Sequence, residues 1–137
     1  MKLRAATFNI RNSDAPDGEN AWPVRRSATV AAIEHLDADV VGLQEVLRDQ
    51  VDYLRWRFPR YEIVGVGRDD GMSAGEHCVV MIRHGDWRLE RHETRWLSDD
   101  PGTPGSVGCR SSRKLVPGSR RSSSRRNSRT AACATSA

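Results

Sequence analysis

The apolar positions of the chain switch between two periods. "KLRAATFNI", residues 2–10, is apolar and β-compatible and predicts a strand. Pro23 suits the first turn of a helix. From it Val24, Ala28, Ala31, Ala32 and Leu36 fall near one face of an α-helical repeat. In "DADVVGLQEV" the run Val40-Val41-Gly42-Leu43 reads as a strand buried on both faces, as in a sheet covered by helices. Val51, Leu54 and Phe58 then recur at i, i+3 and i+7, a second helix that Pro59 stops. "YEIVGVG" and "HCVVMIR" predict strands on either side of the polar loop "RDDGMSAGE". "WRLERHETRWL" supplies one more, and "SDDPGTPGSVG" reads as loop. The order β-α-β-α-β-loop-β-β argues for an α/β sandwich with a mixed sheet.

The composition changes at Cys109. Residues 109–137 contain Leu115 and Val116 as their only bulky aliphatic residues, and no aromatic. Such a segment cannot bury enough apolar surface to offset ordering entropy, so a disordered Arg/Ser-rich tail is expected there. Charge divides at the same point. Residues 1–108 hold 14 Lys+Arg against 18 Asp+Glu, and residues 109–137 hold 8 Lys+Arg and no acid. The overall charge of +4 therefore belongs to the tail. A net negative folded part disfavours a dedicated duplex-DNA nuclease.

The longest apolar run is far shorter than a membrane span, and the N-terminal stretch is too short for a signal peptide's apolar core. A cytoplasmic protein without a membrane span is expected. Cys78, Cys109 and Cys133 show no CxxC pairing, which suggests neither a disulfide framework nor a zinc site. Cys78, inside an apolar strand, is expected as a small core residue.

Two strand ends carry candidate chemistry. Glu45 follows the apolar run of "VVGLQEV", where a carboxylate is costly to bury unless it is paired or binds a cation. Hard cations such as Mg²⁺ are held by one or two carboxylates, with water and substrate phosphate completing the shell. A solvated strand end is the plain alternative for Glu45 alone. Asn9 also ends a strand, and in α/β sheets ligands collect beyond strand ends. Its amide can donate to a phosphate oxygen or orient a water.

"TFNIR", "ADVVGLQEV", "YEIVGVGRDDG…GE" and "TRWLSDDPGTPGS", in this order, resemble the endonuclease/exonuclease/phosphatase superfamily over residues 3 to 108. The resemblance implies a partial domain at 1–108, the N-terminal half of a four-layer α/β/β/α sandwich with mixed sheets. It implies a hydrolase acting on phosphodiesters or phosphomonoesters with Mg²⁺ (or Mn²⁺). By the same resemblance Asn9 helps hold the metal and the scissile phosphate, and Glu45 is the metal-binding carboxylate. Arg68 and Glu76 would lie on a second rim, where they touch substrate or brace the site. His77 and His84 read as polar strand-end residues. The implied partner is a phosphate-ester substrate, with nucleic acid, phospholipid and sugar or inositol phosphates among the candidates and no obligate protein partner.

The resemblance further implies an Asp/Asn pair and a late Asp-His in a second half. Beyond residue 108 the chain has no Asp, Glu or His. "RKLV" would open a strand continued by Thr-Trp, and this chain has Pro117-Gly118 there. Thr-Trp written as ACC-TGG and read one base late becomes CCT-GGN, which encodes Pro-Gly. Three readings stay open: a truncated, out-of-frame and nearly inactive phosphoesterase, a non-enzymatic fragment that binds nucleic acid through a genuine basic tail, or a non-functional product cleared by proteolysis because its sheet is unfinished. The tail offers no aromatic on which a base could stack. On the first reading, the DNA between the codons for Gly108 and Pro117 opens another frame encoding Thr-Trp, an Asp-x-Asn-type segment and an Asp-His. Sequencing that finds early stop codons in both other frames would remove it.

Overall fold

The computed structural model describes residues 2–96 and 109–118. The elements are β1 (Ala5–Asn9), a 3-10 turn (Gly18–Asn20), α1 (Trp22–Leu36), β2 (Val40–Val46), α2 (Arg48–Arg57), β3 (Tyr61–Val64), β4 (His77–Arg83), β5 (Trp87–Trp96) and β6 (Cys109–Pro117). Through β5 the order of strands and α-helices is the one the periodicity predicts; the 3-10 turn and β6 are additional. Strands β1-β2-β4-β3 form a mixed sheet, parallel between β1 and β2 and antiparallel elsewhere; β5 and β6 form an antiparallel pair. The loop expected over 98–108 and the chain beyond 118 lie outside the described residues.

Register decides which side chains share a face. Val41 lies opposite Ala6 and Met81, and Leu43 opposite Phe8 and Val79. These residues pack in one cluster with Val30 and Ile33 of α1 and Val51 and Leu54 of α2. Both helices therefore cover the same face of the sheet. Val51, Leu54 and Phe58 are all buried, as their spacing requires.

Several expectations change. The buried side of α1 is Trp22, Thr29, Val30 and Ile33, whereas Val24 is 64% exposed and Ala28, Ala31, Ala32 and Leu36 are exposed too. Large side chains remove more apolar area from water than alanines do, so Trp22, Val30 and Ile33 decide the orientation. β2 is not buried equally on both faces: Val41, Leu43 and Val46 are buried, and Val40, Gly42 and Gln44 only half so. Cys78 is exposed, because the buried alternation on β4 runs through His77, Val79 and Met81. The segment expected to be disordered from 109 begins with β6, in which Leu115 pairs with Leu89 and Val116 with Arg88. β6 is paired along the β5 edge, with an exposed Lys114–Glu90 ion pair at 2.5 Å beside it.

At the end of the sheet where β1 begins, charges tie three strands together. Arg4 N–H donates to Asp39 Oδ2 at 2.9 Å, and Arg83 Nη2 to Asp39 Oδ1 at 2.5 Å. Asp37, which closes α1 in the left-handed region (φ 42°), accepts from both Arg4 and Arg83. Asp39 is held below the usual carboxylate range, first by the Arg4 backbone N–H and then by the Arg83 guanidinium. Its contribution is complete above about pH 4, the unfolded value, and is lost as pH falls through the lower folded value. Asp39→Asn is therefore expected to cost about 1–2 kcal/mol near neutrality. Wild type and variant should converge in acid, as followed by thermal unfolding from pH 7 to pH 2; a gap that stays constant would refute the linkage.

Candidate active site

The opposite end of the sheet is built differently. Strict alternation along β2 would put Glu45 on the same buried face as Val41 and Leu43. Pairing with β4 changes that: Leu43 opposes Val79 and Val46 opposes His77, so β2 advances three residues while β4 advances two. The extra residue is a β-bulge, a device that re-aims side chains. Val46 takes the core position, fully buried, and Glu45 is released to the rim in the left-handed conformation (φ 59°). That conformation costs an ordinary residue about 1–2 kcal/mol. His77 helps hold the bulge. It is buried, with Nδ1 3.0 Å from the Val46 carbonyl oxygen. A carbonyl only accepts, so Nδ1 carries the proton. His77 is thus an internal brace rather than a plain strand-end residue, while His84 is exposed near the other end of the sheet.

The parallel pairing of β1 with β2 sets Asn9 opposite Gln44 and brings it to Glu45. Asn9 Nδ2 donates to Glu45 Oε1 at 2.8 Å, and Asn9 Oδ1 accepts from the Arg11 backbone N–H at 2.9 Å. This orientation of the amide satisfies both partners; the reverse would set oxygen against oxygen and N–H against N–H. Among the described residues no second donor meets the Glu45 carboxylate. Gln44 turns away, its amide donating to Thr7 Oγ1 and to the Gly42 carbonyl.

Arg11 (φ 58°) follows, its guanidinium gripping Asp17 through Nε at 3.2 Å and Nη2 at 3.1 Å. That hydrogen bond raises Arg11 above its ordinary value and holds the Asp17 carboxyl below the usual range; Glu45 and Glu76 add to the field on Arg11. Glu76 joins the two rims. Its Oε1 accepts from Asn12 Nδ2 at 3.1 Å and its Oε2 from Arg68 Nη1 at 3.3 Å. The four residues singled out from sequence thus gather in two linked pairs, Asn9 with Glu45 and Arg68 with Glu76.

Loop 65–76 is held from within. Asp70 Oδ1 accepts the backbone N–H groups of Met72, Ser73 and Ala74 at 2.7, 2.8 and 2.9 Å, which pulls its carboxyl below the ordinary value. Between this loop, residues 10–17 and the start of α2 lies an open cleft of about 550 Å³, lined by Asp14, Arg48, Asp49 and Ser73 among others. Sequence reasoning missed Asn12, Asp17 and Asp70, and also Arg25 and Gln50 beneath the loop. An arginine three residues after Trp22, at the start of α1, was the one signal for that pair.

A divalent cation is compatible with this rim. Glu45 is half-buried, one oxygen is steadied by Asn9, and the other has no donor among the described residues. One carboxylate with water and phosphate is a common Mg²⁺ environment. No group of three or more His, Cys, Asp or Glu side chains able to hold a metal occurs among the described residues, so such an ion would draw most of its ligands from elsewhere.

Residues 6–128 match the model of the Endonuclease/Exonuclease/phosphatase family, past residue 108 and into the segment read as tail. No curated protein matches the chain. Among solved structures, an endonuclease/exonuclease/phosphatase from Bacteroides vulgatus is 35% identical with a TM-score of 0.74, the match covering 84% of this chain and 47% of that one. A mannosyl-6-phosphatase of Bacteroides thetaiotaomicron is 29% identical with a TM-score of 0.70, covering 80% and 42%. D. rerio TDP2, complexed with a single-strand DNA product, shares the fold at 23% identity and a TM-score of 0.56, covering 76% and 37%. The chain spans less than half the length of each of these three.

The loop makes one steric demand. A Cβ at Gly67 would collide with the Ala74 backbone, while one at Gly18 (φ 55°) would meet nothing within 4 Å. Gly67→Ala is expected to destabilise by about 1–3 kcal/mol through overpacking. Gly18→Ala should cost about 1 kcal/mol from its backbone conformation alone. Urea denaturation separates the two; a Gly67→Ala protein as stable as wild type would show that the loop is not packed in this way.

Proposed function

The chain belongs to the Endonuclease/Exonuclease/phosphatase family, and on that premise we propose that its β1–β2 rim is the metal-holding part of a phosphoester hydrolase site. The observation that carries the proposal is the bulge in β2, which takes Glu45 off the core face and delivers it to Asn9 at 2.8 Å. A strained acidic residue at an open strand end is costly for a purely structural purpose.

Glu45 would hold Mg²⁺ or Mn²⁺. When bound, such an ion neutralises charge on the attacking and leaving oxygens of a phosphate ester and activates water. Asn9 would have two duties. One Nδ2 proton steadies the Glu45 carboxylate; the other is free to meet a phosphate oxygen. Arg68 would brace Glu76, and Glu76 would tie the second rim to Asn12 across the cleft. The related mannosyl-6-phosphatase supports a phosphate-ester substrate. Among the described residues no group of three or more His, Cys, Asp or Glu side chains able to hold a metal gathers at Glu45. With few protein ligands for the ion, the chain is proposed to bind cation and phosphate weakly and to hydrolyse esters slowly.

Mn²⁺ binding, followed by electron paramagnetic resonance, tests the assignment. Wild type should bind weakly, because few ligands come from the protein. Glu45→Gln keeps the shape and removes the charge, and is expected to lower affinity at least tenfold, about 1.4 kcal/mol. Metal-dependent hydrolysis of a generic phosphodiester should fall with it. Unchanged Mn²⁺ binding in Glu45→Gln would return that residue to a solvated strand end.

A further inference from the structure

Three consecutive backbone carbonyls beyond β1 converge on one side chain. Arg25, in the first turn of α1, donates from Nη1 to the Ile10 oxygen at 2.6 Å. Its Nη2 donates to the oxygens of Arg11 at 2.8 Å and Asn12 at 3.0 Å. Gln50 of α2, fully buried, donates to the same Arg11 oxygen at 2.9 Å while its own Oε1 accepts from the Leu47 N–H at 2.9 Å. The guanidinium lies over the buried Trp22 ring, 5.2 Å from its centroid. Among the described residues Arg25 bonds to no carboxylate, and its Nε is buried without a partner. A cation committed to neutral carbonyls is an unusual expense for a surface loop.

The geometry points to Arg25, supported by Gln50, as a positioning residue of the candidate active site. This rests on the reading of Glu45 as a cation ligand. The connection runs through one peptide unit. The Ile10 carbonyl and the Arg11 N–H belong to the same plane, so gripping the oxygen aims the N–H. That N–H meets Asn9 Oδ1, and Asn9 Nδ2 meets Glu45 Oε1. Arg25 thus orients the Glu45 carboxylate through Ile10, Arg11 and Asn9 without touching it. The second grip, on the Arg11 carbonyl, holds that residue in its left-handed conformation, where its side chain reaches Asp17.

Arg25→Lys tests this. An ammonium keeps the charge but lacks the planar fork that spans three acceptors. Two readouts apply to the full chain: Mn²⁺ affinity, and the side-chain amide signals of Asn9 in a nitrogen-15 correlation spectrum. Arg25→Lys is expected to weaken Mn²⁺ binding about tenfold, or roughly 1.4 kcal/mol, and to move the Asn9 signals toward those of a free amide. Ile33→Val, in the same helix but away from the loop, should lower the melting temperature and leave both unchanged. Gln50→Met should act as Arg25→Lys does, about threefold on affinity, and decides the matter by the same signals if the lysine variant does not fold. Wild-type Asn9 signals in Arg25→Lys, or equal changes in Ile33→Val, would overturn the proposal. If wild type binds no Mn²⁺ and the Asn9 signals still move in Arg25→Lys, the positioning role stands and the cation reading of Glu45 falls.

Discussion

Between Leu43 and Val46, β2 carries one residue more than β4 opposes. Without that residue the alternation of the strand would drive the Glu45 carboxylate toward α1 and α2, where an unpaired charge is strongly disfavoured. With it, the apolar sequence Val41, Leu43, Val46 stays in the core and the acid between them leaves it. The rim then follows. Glu45 can meet Asn9 because β1 is parallel to β2 and ends beside the bulge. His77 completes the arrangement by occupying the core opposite Val46 and bonding its carbonyl.

The two ends of the sheet use charge in opposite ways. At the start of β1, Arg4, Asp37, Asp39 and Arg83 neutralise one another and join strands that are far apart in sequence. At the other end Glu45 is matched to an amide rather than to a cation, and Arg11 is latched to Asp17 instead. The nearby guanidinium of Arg25 is spent on backbone carbonyls. Among the described residues the Glu45 carboxylate is hydrogen-bonded by Asn9, with the Arg11 guanidinium nearby.

The described residues make up one helix-covered mixed sheet and a two-stranded sheet, the β5–β6 pair. Less than half of each similar solved structure compared above is represented.

Much of this was written in short-range patterns. Element order, the α2 stripe of Val51, Leu54 and Phe58, and the polar ends at Asn9 and Glu45 depend on residues near one another in the chain, where periodicity and turn chemistry act. Other features depend on what lies opposite. Alanines and leucine at helical spacing suggested the wrong side of α1, because burial followed the volume of Trp22, Val30 and Ile33 against the sheet. Cys78 lies one residue out of the buried alternation of β4, which pairing with β2 decides. β6 exists because an edge was available to pair with, which composition does not record. Above all, a bulge is a mismatch between two strands, and neither strand contains it alone. The sequence by itself determined that a carboxylate and an amide would stand at strand ends; only the parallel pairing of β1 with β2 and the register of β2 on β4 decided that they face each other.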